Sequence, residues 1–330
     1  MLVKVGLVDR IKSASGVKFS GIMDKVEPNP DVRNVNDGIQ AVKKANARAV
    51  LAVGGGSVID YAKAVCAAVF ENCSAEELLE KNHYRGALPL VAIPATAGTG
   101  AEVTPFAVIS WNEKNIKKLL NSPIFYPAMA IVDPEVTYTS PPKVTASSGI
   151  DVLAHALDSL GNKKSNPVSQ ALALRAAKIA FDNLAQAVED GNNLEARNQM
   201  SLASLLAGLA FSQTGTSASH ACSYSLTARF NAPHGEACAF TLDSWVKINA
   251  AACPEMNLYA REIGFENADK MSEALSVLKK NGRRTTLKEI GVTEHDLDYL
   301  AGEAFAAKNM LNNVAQIDLK GVRDVFLSKF

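Results

Sequence analysis

The stretch "VLAVGGGSVIDYAKAV", residues 50–65, constrains the fold more than any other part of the chain. A short β-rich apolar run, "ARAVLAV" at 47–53, ends in three glycines, and a helical pattern starts directly behind them. A second apolar run, "LPLVAIPAT" at 88–96, follows that helix, and a third, "AMAIVDPE", lies at 128–135. Strand, glycines, helix and strand in that order specify a parallel sheet, since parallel neighbours need a long crossover between them.

Gly54, Gly55, Gly56 and Ser57 stand between the first strand and its helix. Glycines let the backbone turn sharply and approach a ligand closely. The helix behind them offers free N–H groups and a positive dipole end to a phosphate. The motif is neither G-x-G-x-x-G nor a Walker loop, and a tight βα turn alone would account for it. A second small-residue loop strengthens the phosphate reading: in "PATAGTGAEVTPFAVI", Thr96, Gly98, Thr99 and Gly100 follow the second strand. Two such loops at strand ends are what an open α/β sheet needs to bind a nucleotide across its carboxyl edge.

Beyond "PPKVTASS" the texture becomes helical, as in "VSQALALRAAKIAFDNLAQAVED" and "LEARNQMSLASLLAGLAFSQ". The expected organisation is a Rossmann-like α/β nucleotide-binding domain over 1–142 and an all-α domain over 143–330. Acidic and basic residues balance at 34 each, which gives no electrostatic reason to expect nucleic acid or an anionic membrane as partner. Five cysteines with no Cys-x-x-Cys pair argue against a disulfide framework. With no signal-peptide core and no membrane-spanning run, a cytoplasmic location is expected.

Histidine is scarce, five in 330 residues, yet three lie in two apolar, Ala-rich segments of the second half. In "SSGIDVLAHALDSL", residues 147–160, Ser147 or Ser148 reads as a helix cap. Asp151 and His155 are four residues apart and share one face. His220 and His234 lie in "SHACSYSLTARFNAPHGEACAF", the latter in a Pro-His-Gly turn at the expected head of a helix. His83 and His295 sit among polar neighbours and read as surface residues. Each inner residue has a plainer explanation: a buried histidine can be a satisfied core residue, and Asp151 a first-turn acid favoured by the dipole. A buried unpaired carboxylate is costly, however, and a divalent cation would offset that cost. One Asp and three His suit Zn²⁺ or Fe²⁺ at about 2.0–2.2 Å per ligand.

"AVGGGSVIDYAKA", "IPATAGTGAEVTPFAVI", "AIVDPE", "TASSGIDVLAHALDS" and a His-x₁₃-His-Gly pair, in this order, resemble the iron-containing (group III) alcohol dehydrogenase family. The resemblance covers nearly the whole chain. It implies a dehydroquinate synthase-like architecture, with an α/β nucleotide domain, an all-helical domain and a catalytic cleft between them. It implies Fe²⁺, or Zn²⁺, on Asp151, His155, His220 and His234. It implies NAD or NADP, with Gly54, Gly55, Gly56 and Ser57 at the pyrophosphate, Asp60, Thr96 and Thr99 on the nicotinamide side, and Lys117 near the nicotinamide ribose. The implied reaction moves hydride between the nicotinamide and a small primary alcohol or aldehyde, in a homodimer or larger homo-oligomer.

Three departures modify this. The strand–turn–strand with a Thr-Asp pair that usually opens family members, and that helps choose NAD over NADP, is not found here, so the preference is unreadable. Tyr224 stands where many members carry a further histidine, and the His-Ala-x-Ser-Tyr pattern looks like a branch acting on phosphonoacetaldehyde and 2-hydroxyethylphosphonate. Tyr224 could there orient an anionic substrate or relay a proton. Asn313-Val314 replaces a common Asn-Pro. The rival readings are a glycerol dehydrogenase-like enzyme or dehydroquinate synthase-like lyase on the same scaffold, and a cofactor-free metal-binding module.

Overall fold

The computed structural model describes residues 6–114, 116–280 and 283–330. The chain divides into two compact units, Met1–Thr96 with Ala101–Thr137, and Ala97–Gly100 with Tyr138–Phe330.

The first unit holds α1 (Leu7–Ser15), α2 (Val32–Lys44), β1 (Val50–Gly54), α3 (Gly56–Glu71), α4 (Ala75–Glu80), β2 (Leu90–Pro94), β3 (Phe106–Trp111), β4 (Ile116–Asn121) and β5 (Met129–Ala130). The three apolar runs become β1, β2 and β5, a parallel sheet in that order, with Val53 opposite Ile93 and Ala92 opposite Ala130. Helix α3 makes the crossover between β1 and β2. It is buried on almost every side, from Tyr61 through Ala68 without a break, as an apolar helix inside a core should be. Helix α2 covers it with Val32, Val35 and Ile39, which recur at helical spacing. The two helices meet closely at Gly38, where a Cβ would fall 2.1 Å from the Tyr61 hydroxyl.

Lys63 is an ionisable group buried inside this core. Lys63 donates to the carbonyls of Thr104 at 2.8 Å and Phe106 at 2.7 Å, tying α3 to the start of β3. Burial pulls its pKa down to about 8, against the pull of Asp60 and Glu102. Strands β3 and β4 form an antiparallel hairpin, with Ala107 opposite Leu120 and Ser110 opposite Lys117. No sequence pattern marks this hairpin. "IKKLLN" lacks polar–apolar alternation and no Asn-Gly turn announces the hairpin, so the pairing with β3 decides the conformation.

The second unit holds α5 (Pro142–Leu160), α6 (Pro167–Glu189), α7 (Leu194–Thr214), α8 (Ala218–Phe230), α9 (His234–Ala252), α10 (Glu255–Ile263), α11 (Ala268–Leu278), α12 (Leu297–Ala306) and α13 (Leu319–Leu327). Helix α5 is its axis, packed by α6, α7 and α9. Every residue from Gly149 to Leu160 is buried. The expected serine cap is a correction. Pro142 takes the first helical position, where a missing N–H costs nothing, and Ser148 instead bonds back to the Val144 carbonyl at 2.8 Å. Asp151 therefore lies well inside α5, and a first-turn role is excluded.

Small residues bring the axis close to its neighbours. A Cβ on Gly235 of α9 would fall 1.9 Å from the Ser147 carbonyl oxygen and 2.9 Å from the Asp151 Cβ. Asn313, at the departure noted above, exchanges two hydrogen bonds with Asn249, at 2.7 and 3.2 Å, and both residues are buried. Among the described residues, no helix is long and apolar enough to cross a membrane.

Candidate active site

In the helical unit, α5 carries Asp151, His155 and Asp158, at positions i, i+4 and i+7 of one face. Helix α8 contributes His220 in its first turn. Helix α9 opens with His234 and brings Cys238 one turn later. Donor atoms of Asp151, His220, His234 and Cys238 all lie within 4.8 Å of one another. His220 Nε2 is 3.7 Å from Asp151 Oδ1, and Cys238 Sγ is 3.9 Å from His234 Nε2.

His155 stands beside this group rather than within it. Its Nδ1 is 3.9 Å from Asp151 Oδ2 and 3.1 Å from the Gly98 carbonyl oxygen, and its ring stacks between Phe211 and His220. Nδ1–H donating to that carbonyl selects the tautomer with its lone pair on Nε2, as a metal-ligating histidine requires. Gly98 belongs to the Thr-Ala-Gly-Thr-Gly loop, so the loop's backbone helps set a site histidine. As expected, His83 and His295 are exposed.

Asp158, which no sequence motif singles out, organises the start of α8. Its Oδ2 accepts from the Ser217 amide at 2.8 Å and meets His220 Nδ1 at 2.8 Å, while its Oδ1 accepts from the Ser219 hydroxyl at 2.8 Å. It serves as a helix cap supplied from another helix and as the carboxylate that fixes the His220 ring. With Nδ1 so engaged, His220 presents Nε2 towards Asp151.

Two atoms show what the arrangement lacks. Asp151 Oδ1 and His220 Nε2 are both buried and have no hydrogen-bond partner. Orphaned buried polar atoms are expensive, and these two face each other. Their setting is also electrically strained. Burial pushes the Asp151 carboxyl up to about 7, against the pull of His220. Burial, with His220 and His234 beside it, holds His155 well below the ordinary histidine range. Burial opposes a charge on His220 too, but Cys238 and the Asp158 carboxylate override it and raise its pKa well above the usual value. A divalent cation fits this donor set: it would occupy both orphaned atoms and take over the charge the protons now carry.

Tyr224 lies one turn beyond His220 and is exposed. Its hydroxyl accepts from Asn309 Nδ2 at 2.6 Å, and the same amide reaches Thr216 Oγ1 at 2.5 Å.

The α/β unit holds the other predicted residues. Gly54 ends β1, Gly55 occupies the cap position of α3, and Gly56 and Ser57 begin the helix. Gly55 has no side chain to cap this 16-residue helix; the Val58 amide turns back to the Gly55 carbonyl at 2.9 Å, and the positive end of the helix suits an external anion. A Cβ on Gly54 would lie 2.5 Å from Val58, and one on Gly55 would lie 3.3 Å from Thr96 Oγ1. The glycine turn and Thr96 are thus adjacent, and a Cβ on Gly55 would press on the Thr96 side chain. Ser57 Oγ accepts from the Asn29 amide at 3.2 Å, and Asn29 Oδ1 accepts from Lys117 Nζ at 2.9 Å, which draws Lys117 to the same end of α3. Asp60 accepts from the Val108 amide at 3.0 Å, and burial raises its pKa to about 6. Thr99 lies within Ala97–Gly100, the segment that belongs to the helical unit.

A glycine turn heading a buried helix in one unit, and a buried carboxylate–imidazole–thiol cluster in the other, are the parts of an enzyme that uses both a nucleotide and a metal. Residues 1–134 match the family model for iron-containing alcohol dehydrogenase, and residues 145–330 match the C-terminal model of the Fe-containing alcohol dehydrogenase family. Alcohol dehydrogenase 4 of Saccharomyces cerevisiae is 33% identical over 94% of this chain and 83% of its own. The 1,3-propanediol dehydrogenase of Citrobacter freundii is 33% identical over 99% and 88%. The crystal structure of sulfoacetaldehyde reductase from Bifidobacterium kashiwanohense in complex with NAD+ superposes with a TM-score of 0.95 at 37% identity, covering 99% of this chain and 88% of that one. The chain belongs to the iron-containing alcohol dehydrogenase family.

Proposed function

We propose that this NAD(P)-linked, metal-dependent alcohol dehydrogenase acts on a small aldehyde or primary alcohol with a tetrahedral anionic head, a phosphonate or a sulfonate. We assign its cation to Asp151, His155, His220 and His234. The observation that carries the ligand assignment is the pair of orphaned buried atoms, Asp151 Oδ1 and His220 Nε2, facing each other across 3.7 Å. When bound, the cation supplies Lewis acidity at the substrate oxygen, and the nicotinamide supplies or accepts the hydride.

The chain's own residues orient and exclude. Asp158 and the Gly98 carbonyl hold His220 and His155 by Nδ1, leaving Nε2 of each for the cation. The first N–H groups of α3, behind Gly54–Ser57, hold the cofactor's pyrophosphate. Tyr224, Asn309 and Thr216 form a polar cluster one turn from His220 that can donate to the oxygens of a charged head. The 37% identity to a sulfoacetaldehyde reductase supports that substrate class.

Two measurements test this. His234→Ala should lose bound metal by elemental analysis together with nicotinamide-linked turnover; metal content equal to wild type would remove the ligand assignment. Phosphonoacetaldehyde and sulfoacetaldehyde should exceed propanal in kcat/KM, and Tyr224→Phe should narrow that gap. Equal values for all three aldehydes would remove the anionic-head assignment.

A further inference from the structure

We propose that Cys238 contributes a sulfur donor to the cation, beside the Asp and His ligands. This rests on the metal site described above and adds a donor of a different chemical class.

Four observations carry it. Cys238 Sγ belongs to the group of donor atoms within 4.8 Å of one another, a group that His155 does not join. Its position is set by α9 itself: Cys238 follows His234 by four residues, so both donors project from one face of one helix. The sulfur is fully buried, among groups that include the two orphaned atoms. Finally, the spacing suits shared coordination. Bonds of about 2.0–2.3 Å to N, O and S around one ion imply separations of roughly 3–4 Å between adjacent donors. The separations here are 3.7 Å for Asp151 Oδ1 and His220 Nε2, and 3.9 Å for Cys238 Sγ and His234 Nε2. Both separations fall within that range.

Coordination replaces the S–H bond with a sulfur–metal bond, and the thiol proton leaves to solvent. No oxidant or reductant is needed. The added sulfur changes the character of the site. A carboxylate and imidazoles alone accept Fe²⁺ and Zn²⁺ alike, whereas a thiolate shifts preference towards softer ions, Zn²⁺ over Fe²⁺ or Mn²⁺.

The test uses the full chain, stripped of metal and titrated anaerobically with Co²⁺. The wild type should develop a near-ultraviolet sulfur-to-cobalt charge-transfer band along with visible ligand-field bands. Cys238→Ser and Cys238→Ala should lose the former and keep the latter, and their preference for Zn²⁺ over Mn²⁺ should fall at least about tenfold. Zinc-edge absorption fine structure of the Zn²⁺-loaded wild type decides the matter without a variant, through a sulfur scatterer at about 2.3 Å. Cobalt bound with no charge-transfer band, the band surviving in Cys238→Ala, or a zinc shell of N and O alone would overturn the sulfur assignment and leave the Asp–His site standing. Failure of the wild type to bind Co²⁺ or Zn²⁺ at all would overturn both.

Discussion

Replacing Gly235 by Ala tests the closest approach in the helical unit. Two effects oppose each other. Alanine is favoured over glycine in a helix interior by up to about 1 kcal/mol. Against this, the new Cβ would stand 1.9 Å from the Ser147 carbonyl oxygen, where ordinary contact begins at 3.4 Å. That oxygen is backbone and cannot rotate away, so α5 and α9 must part by about 1.5 Å or distort. Overpacking of this kind costs roughly 1–3 kcal/mol, so sterics prevail and the variant should lose about 1–2 kcal/mol. The displacement also separates Asp151 on α5 from His234 on α9, far beyond the ~0.2 Å tolerance of a metal site. Metal affinity should fall by at least about 100-fold. Urea unfolding of the metal-free protein reads the first effect, and metal titration against a chromophoric chelator reads the second. Gly302→Ala is the control: it lies inside α12 with nothing within 4 Å of the added Cβ, and should be stabilising by a few tenths to about 1 kcal/mol. A Gly235→Ala protein matching the wild type in both assays would refute the packing described for α5 and α9.

Asp158→Asn keeps the shape but not the charge that fixes the His220 ring, and should weaken metal binding about 10–100-fold while the folded state persists; an unchanged chelator competition would deny Asp158 this role. Metal affinity should climb with pH up to about 7, where Asp151 gives up its proton unaided, by about tenfold per pH unit for each proton displaced. The proton on His220 can only steepen that slope, and a flat profile from about pH 5.5 to 7 would contradict the burial of Asp151. Glu71 accepts from the Arg85 amide at 2.6 Å and pairs with Lys81 at 3.1 Å and the Arg85 guanidinium at 3.2 Å; that amide bond and those cations bring its pKa down to about 2. Its folded pKa is depressed, so its contribution is complete above the ordinary value of 4.5 and disappears as pH falls towards 2. Glu71→Gln should therefore flatten the acid limb of stability, and melting curves that shift in parallel with the wild type from pH 7 to 3 would exclude this.

The parallel sheet was readable in the sequence because each strand is a compact apolar run and the glycines mark a backbone constraint that few contexts require. The hairpin of β3 and β4 was not readable, because its second strand owes its conformation to its neighbour rather than to its own pattern. The start of α5 was misplaced for a related reason. Serines attract attention as caps, yet the proline pair upstream fixes the first turn more strongly. Within the candidate site, Asp151, His220 and His234 were found through the scarcity of histidine and one i, i+4 spacing. Asp158 and Cys238 stand at equally regular spacings, seven residues after Asp151 and four after His234. The spacing between cysteines says nothing of Cys238 beside His234, and no local pattern pairs Asp158 with an imidazole 62 residues further on. His155 shows the opposite limit: its place beside the donor group depends on a carbonyl in a remote loop, which no local pattern encodes.

The carboxylate of Asp158 starts one helix and steadies one ring. A change at this position is therefore felt twice, once by the fold and once by the chemistry. Such a residue has little freedom to drift: a replacement that still caps α8 but loses the negative charge would preserve the architecture and blunt the enzyme. Catalytic competence here is wired into the same atoms that tell the chain where to begin a turn.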